Sequence, residues 1–82
     1  MVTVLTWVSV VSSVFTAAAY HEGDRQLYLK FHSGKVYRYF GFPAYQYDEF
    51  LAAESHGRYF NAHILGQFRD EEVPQHELTC FS

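Results

Sequence analysis

Apolar and polar positions alternate with a period of two through the middle of the chain. In residues 26–31, Leu27, Leu29 and Phe31 fall on one face, with Tyr28 and Lys30 on the other. His32, Ser33 and Gly34 interrupt the pattern, and a second strand-like run follows from Lys35 to Phe40. Two strands joined by three residues ending in glycine predict a hairpin with a type I turn and a glycine bulge. Gly34 then takes the left-handed conformation that residues with a Cβ avoid. Upstream, a segment rich in Val, Thr and Phe predicts another strand from about Ser12 to about His21. The turn Glu22-Gly23-Asp24-Arg25 joins it to the hairpin.

The loop length sets the register, and the register sets the faces. A three-residue loop puts Phe31 opposite Lys35, Leu29 opposite Tyr37 and Leu27 opposite Tyr39. Tyr37 and Tyr39 then join the leucines in the core. Tyr28, Lys30, Val36, Arg38 and Phe40 share the other face. A two-residue loop would turn Val36, Arg38 and Phe40 inward, and burying Arg38 without a partner is costly. The three-residue loop is therefore the expectation.

Past Phe40 the period lengthens. Gly41-Phe42-Pro43 breaks the strand, and Pro43 suits the start of a helix. Tyr47, Phe50, Leu51 and Glu54 follow at helical spacing, until Ser55 and Gly57 end that helix. Ser55 can cap a second helix from Arg58 to about Phe68, with Phe60, Ile64 and Phe68 four apart. This order predicts an α+β fold: a three-stranded antiparallel meander, then two α-helices packed on one face, β-β-β-α-α. Residues 1–11 are expected to be an N-terminal extension and 12–68 the domain. Residues 69–82 are expected to be an acidic, flexible tail.

Composition narrows the classes. The 82 residues hold one core, not two. The apolar share, 49%, excludes a disordered chain, and a single cysteine excludes a disulfide-stapled domain. One residue in five is aromatic, more ring surface than a small core ordinarily buries, so some rings need another explanation. The net charge of −3 is not spread evenly. Residues 12–68 balance, and the acidic excess lies in Asp70, Glu71, Glu72 and Glu77. Arguments about partners therefore belong to a neutral body with local basic spots. The uncharged first twenty residues match a membrane span in length. Ser and Thr interrupt them, and no basic residue opens them, so neither a span nor a signal peptide is expected. The expected location is cytoplasmic.

Catalytic and metal chemistry finds little here. His21, His32, His56, His63 and His76 make no pair at a metal spacing, and Cys80 stands apart. The glycines are scattered and form no phosphate loop. No catalytic residue, metal or cofactor is expected, and the chain is read as a non-enzyme.

A longer pattern runs through these elements. It comprises Ser12-Ser13, Tyr20, Leu27-x-Leu29-x-Phe31-x-Ser33-Gly34, Tyr37-Arg38-Tyr39 and Phe42-Pro43, then Ala53-Glu54-Ser55-His56-Gly57-Arg58-Tyr59-Phe60-Asn61 and Ile64. In this order it resembles the KTSC domain, named for the C-terminal domain of some lysyl-tRNA synthetases and found also as free-standing small bacterial proteins. The resemblance covers about Ser12 to Phe68 and implies a free-standing single-domain member. Its motif positions, Ser12, Ser13, Tyr37, Tyr39, Pro43, Ser55, Gly57, Tyr59, Phe60, Asn61 and Ile64, are read as structural. It implies a non-catalytic module and, through the synthetase context, binding to single-stranded RNA or tRNA. His56 and Leu65 stand where family members often carry a basic residue, which weakens the RNA reading for this chain.

Candidate nucleic-acid contacts follow from the predicted faces. Tyr28 and Phe40 would stack bases while Lys30 and Arg38 meet phosphate. Arg58 would hold a phosphate at the start of the second helix. The competing reading is an ordinary solvent face of cross-strand pairs, covered by the extension through Trp7. A protein-interaction module using the same aromatic face or a sheet edge is the alternative function. No membrane partner is expected.

Overall fold

The computed structural model describes residues 6–74. Its element order is β1 (Val8–Ser9), β2 (Phe15–His21), β3 (Gln26–Phe31), β4 (Val36–Phe40), α1 (Ala44–Ala52), α2 (His56–Tyr59) and β5 (Asp70–Val73). A π turn, Phe60–Ile64, continues α2. The strands form one antiparallel sheet in the order β1-β2-β3-β4-β5. The α+β class and the helices after the meander agree with the sequence pattern. The strand count does not: the described residues form five strands, not three.

Both added strands come from segments expected to lie outside the domain. β1 pairs Val8 with Ala18 and Ser9 with Ala17. β5 pairs with β4 from Val36↔Val73 to Tyr39↔Asp70, so residues 70–73 form a strand within the segment expected to be a flexible tail. Two contacts hold β5 in place. Val73 is buried beside Val36, and the Arg38 guanidinium donates to Glu71 Oε1 through Nε (2.6 Å) and Nη2. The rest of the expected tail, residues 75–82 with His76 and Cys80, lies outside the described residues.

The hairpin register is the predicted one. Leu27 faces Tyr39, Tyr28 faces Arg38, Leu29 faces Tyr37 and Lys30 faces Val36. The Phe31 N–H donates to Lys35 C=O at 2.9 Å, and Gly34 closes the loop at φ +91°. At the other hairpin Arg25 takes φ +52°, uncommon for a residue with a Cβ. Its N–H donates to Glu22 C=O, and its own carbonyl accepts from the Phe42 N–H at 2.9 Å. That second bond ties the turn to the start of α1.

The core lies between the sheet and the helices. Phe15, Leu27, Leu29, Tyr39, Phe42, Phe50, Phe60 and Ile64 form one buried cluster. Phe15 sits at its centre, edge-on to Phe31 (4.9 Å), Phe60 (5.2 Å) and Phe50 (5.9 Å). Such edge contacts add about 0.5–1.5 kcal/mol each beyond burial. The predicted second helix stops early. The Leu65 N–H donates to Phe60 C=O five residues back at 2.8 Å, and Gly66 reverses the chain at φ +76°. Phe68 therefore reaches the core after the helix, meeting Phe42 edge-on at 4.8 Å.

Several motif positions have visible structural work. Ser12 Oγ accepts from the Val14 and Phe15 N–H groups, and its carbonyl bonds His32 Nε2 at 2.7 Å. Ser55 caps α2 by accepting from the Arg58 N–H at 3.3 Å. A methyl group at Gly57 would stand 3.4 Å from Val14 Cγ2, so the start of α2 lies close against the β1–β2 connection.

Buried tyrosines make the fold sensitive to alkali. Burial, with Asp70 and Tyr37 adding, holds the Tyr39 hydroxyl well above its ordinary value of 10.0. Burial also raises Tyr47 and Tyr59, the latter further through its bond to Glu49. Above about pH 10 the unfolded chain loses these protons and the native chain keeps them. Stability is therefore full below about pH 10 and falls as pH rises through and beyond it. Urea unfolding between about pH 8 and about pH 11 is expected to show this loss, and Tyr39→Phe to make it shallower.

Candidate nucleic-acid interface

The sheet face turned away from the helices carries three rows of side chains. Cross-strand partners share a face, so the register assigns them directly. The first row is Ser9, Ala17, Lys30, Val36 and Val73. The second, Ala19, Tyr28, Arg38 and Glu71, is extended by Trp7 where the β1 register continues. The third is His21, Gln26, Phe40 and Arg69.

This face is not the open aromatic platform expected from the sequence. Ala19, Tyr28, Val36 and Val73 form a second buried cluster, with half-buried Trp7 packed on it. Tyr28 is only 3% exposed, and its hydroxyl donates to Gln26 Oε1 at 2.9 Å. Tyr28 is therefore a packing residue and offers no ring to a base. The reading in which the N-terminal extension covers this face through Trp7 describes its middle correctly. Arg38 is half-buried and bound to Glu71, which partly neutralises it.

What stays accessible is the third row and its margin. The half-buried Phe40 ring has two guanidiniums near it, with Arg38 Cζ at 5.8 Å and Arg69 Cζ at 5.5 Å from its centroid. Both distances fall within cation–π range. Arg69 is exposed and, among the described residues, forms no ion pair. Lys30 is exposed on the same face. Sequence reasoning missed Arg69 by assigning it to the tail. The available signal was the alternation Arg69, Glu71, Val73, which puts a cation, an acid and an apolar residue on one face of a strand.

Arg58 does not belong to this group. It is exposed in the helical layer, on the opposite side of the sheet from Phe40. It lines a shallow hollow of about 560 Å³ with Glu54, Ser55, Tyr59 and His63. The five proposed contacts thus fall into three situations: Lys30, Arg38 and Phe40 share a face, Tyr28 is beneath it, and Arg58 is behind it. Tyr59 donates to Glu49 at 2.7 Å, and Tyr45 is 65% exposed beside a hollow between the β2–β3 turn and α1. Among the described residues no group of three or more His, Cys, Asp and Glu could hold a metal. Nor is any described helix long and apolar enough to cross a membrane.

A small antiparallel sheet with two helices on one face and a ring beside two arginines on the other defines a compact α+β domain. The chain belongs to the KTSC domain family, whose model matches residues 11–68. A protein of Tsukamurella paurometabola is 40% identical over 58 residues, 71% of this chain and 87% of that protein. Lysine–tRNA ligases of a Nostoc strain and of Nostoc punctiforme are 38% and 34% identical over 61 residues. The match covers 74% of this chain and 11% of each ligase. The crystal structure of a KTSC domain protein from Yersinia pestis superposes with a TM-score of 0.82 at 28% identity. That match covers 85% of this chain and 99% of the other. The strands β1 and β5 lie outside residues 11–68, as do Trp7 and Arg69 beside them.

Replacing Trp7 tests whether it covers the outer face. Trp7→Ala is expected to cost about 1–2 kcal/mol, less than a fully buried ring because Trp7 is half-buried. Urea unfolding measures the loss, and the Tyr28 and Val36 side-chain NMR resonances are expected to shift.

Proposed function

We propose that this chain is a non-catalytic interaction module that binds single-stranded RNA, tRNA included, at the outer sheet face. Phe40 supplies a stacking ring, and Arg69, Arg38 and Lys30 meet phosphates. The observation that carries this reading is the Phe40 ring with two guanidiniums within 6 Å of its centroid, Arg38 from β4 and Arg69 from just before β5. Base stacking on a ring combined with Arg contacts to the backbone is how sequence-tolerant single-strand binders work. The similarity to a segment of two lysine–tRNA ligases supports a tRNA context.

The charge balance bounds the affinity. Among residues 6–74 there are six Lys and Arg against eight Asp and Glu, so no wide positive field draws RNA in. Three cations on one face fit weak, salt-sensitive binding, with a slope of about −0.7 per phosphate contact on a log–log plot. Glu71 competes with phosphate for Arg38, since a carboxylate and a phosphate oxygen suit the same guanidinium edge.

A fluorescence titration with a labelled single-stranded RNA at low salt tests the reading. Binding at or below tens of micromolar is expected. Arg69→Ala and Arg38→Ala should each weaken it and remove about 0.7 from the salt slope. Phe40→Ala should cost about 1–3 kcal/mol. Glu71→Gln should tighten binding by releasing Arg38, whereas Arg58→Ala should leave it unchanged. No association by the wild-type chain at low salt would end this reading.

A further inference from the structure

The β5 strand closes one side of the sheet, and among the described residues its outer edge is unpaired. The hydrogen-bond phase shows which groups point outward. The Phe40 N–H donates to Arg69 C=O at 2.9 Å, and Phe40 lies opposite Arg69 when the β4–β5 register is continued. In an antiparallel ladder the bonded pairs alternate. Arg69, Glu71 and Val73 therefore spend their backbone groups on β4, and Asp70 and Glu72 turn theirs away from it. Among the described residues, nothing pairs with those outward groups. Asp70 and Glu72 are both exposed, and their side chains share the opposite face from Arg38. Pro74 is next in phase and has no N–H, which ends the available edge.

From this geometry we propose that the β5 edge is a docking site for a basic, extended peptide segment of a partner protein, added as a sixth strand. Two residues offer up to four backbone hydrogen bonds, the source of affinity in strand addition. Specificity comes from charge. Side chains of an added strand stand about 5.5 Å (Cα to Cα) from Asp70 and Glu72, so Lys or Arg at alternate positions meets an acid each time. A second copy of this chain is disfavoured as the occupant. Two β5 edges paired antiparallel about Glu71 set Asp70 against Glu72 twice, acid against acid. RNA is disfavoured at this edge for the same reason. The β1 edge is no rival, because β1 has only two residues. This edge is separate from the Phe40 site and does not depend on RNA binding there.

The test uses the full chain and a short synthetic peptide alternating Lys with Val, followed by amide chemical shifts at low salt. Shifts centred on Asp70, Glu72 and their β4 neighbours are expected. The double substitution Asp70→Lys, Glu72→Lys should weaken binding about tenfold and turn the preference toward a peptide alternating Glu with Val. A Lys–Val peptide N-methylated at alternate amides keeps its charge and loses the backbone donors. It should no longer bind the wild-type chain, which tests the ladder without altering the protein. Shifts scattered over other acidic surface would overturn the proposal, as would equal binding of the methylated peptide. So would concentration-dependent pairing of the chain with itself through β5 in place of peptide binding.

Discussion

The three-residue loop between β3 and β4 is the constraint on which the rest of the molecule depends. Gly34 at φ +91° allows that loop, and the loop fixes Leu29 opposite Tyr37 and Tyr28 opposite Arg38. A slip of one residue would reverse both faces of the central hairpin. With the observed register, one face offers Leu27, Leu29 and Tyr39 to Phe15 and the helices. The opposite face gathers Arg38 and Phe40 with Lys30. The same register lets Glu71 of β5 arrive beside Arg38 and Arg69 arrive beside Phe40. Core and surface are thus two consequences of one turn.

The central hairpin was legible because its information is local. Alternation, a loop of known length and one glycine decide it, and the cost of burying Arg38 separates the two registers. Ser55 as a cap and Phe60 and Ile64 as core positions were legible for similar reasons. The edge strands were not. β5 carries three acids and one apolar residue, which reads as solvated chain until its partners are known. Its stability comes from Arg38 and Val36, residues more than thirty positions away in sequence. The early end of the second helix was equally hidden. The spacing of Phe60, Ile64 and Phe68 fits a continuous helix, yet a π turn and Gly66 deliver Phe68 to the core by another route.

These misses explain why the candidate interface shrank and moved. Alternation puts Tyr28 on the correct face, but that face is not open there, because Trp7 packs over the cluster that buries Tyr28. Most of the aromatic surplus is therefore internal. Phe15, Phe31, Phe50 and Phe60 form a net of edge contacts in the main core, and Tyr28 fills a second, smaller core on the other side of the sheet. Phe40 is the ring left beside cations. Arg69, just before β5, reaches this site, and β5 sets Glu71 against Arg38, so one short segment both builds the basic spot and moderates it. That dual role places a basic spot on a chain whose net charge is negative.

The most direct test of this account is a residue-by-residue map of amide chemical shifts as a short single-stranded RNA is added at low salt. The account predicts perturbations centred on Phe40 and Arg69, extending to Arg38 and Lys30, with the helical layer around Arg58 unaffected. A map confined to Arg58, Tyr59 and His63, or one with no perturbation, would contradict it.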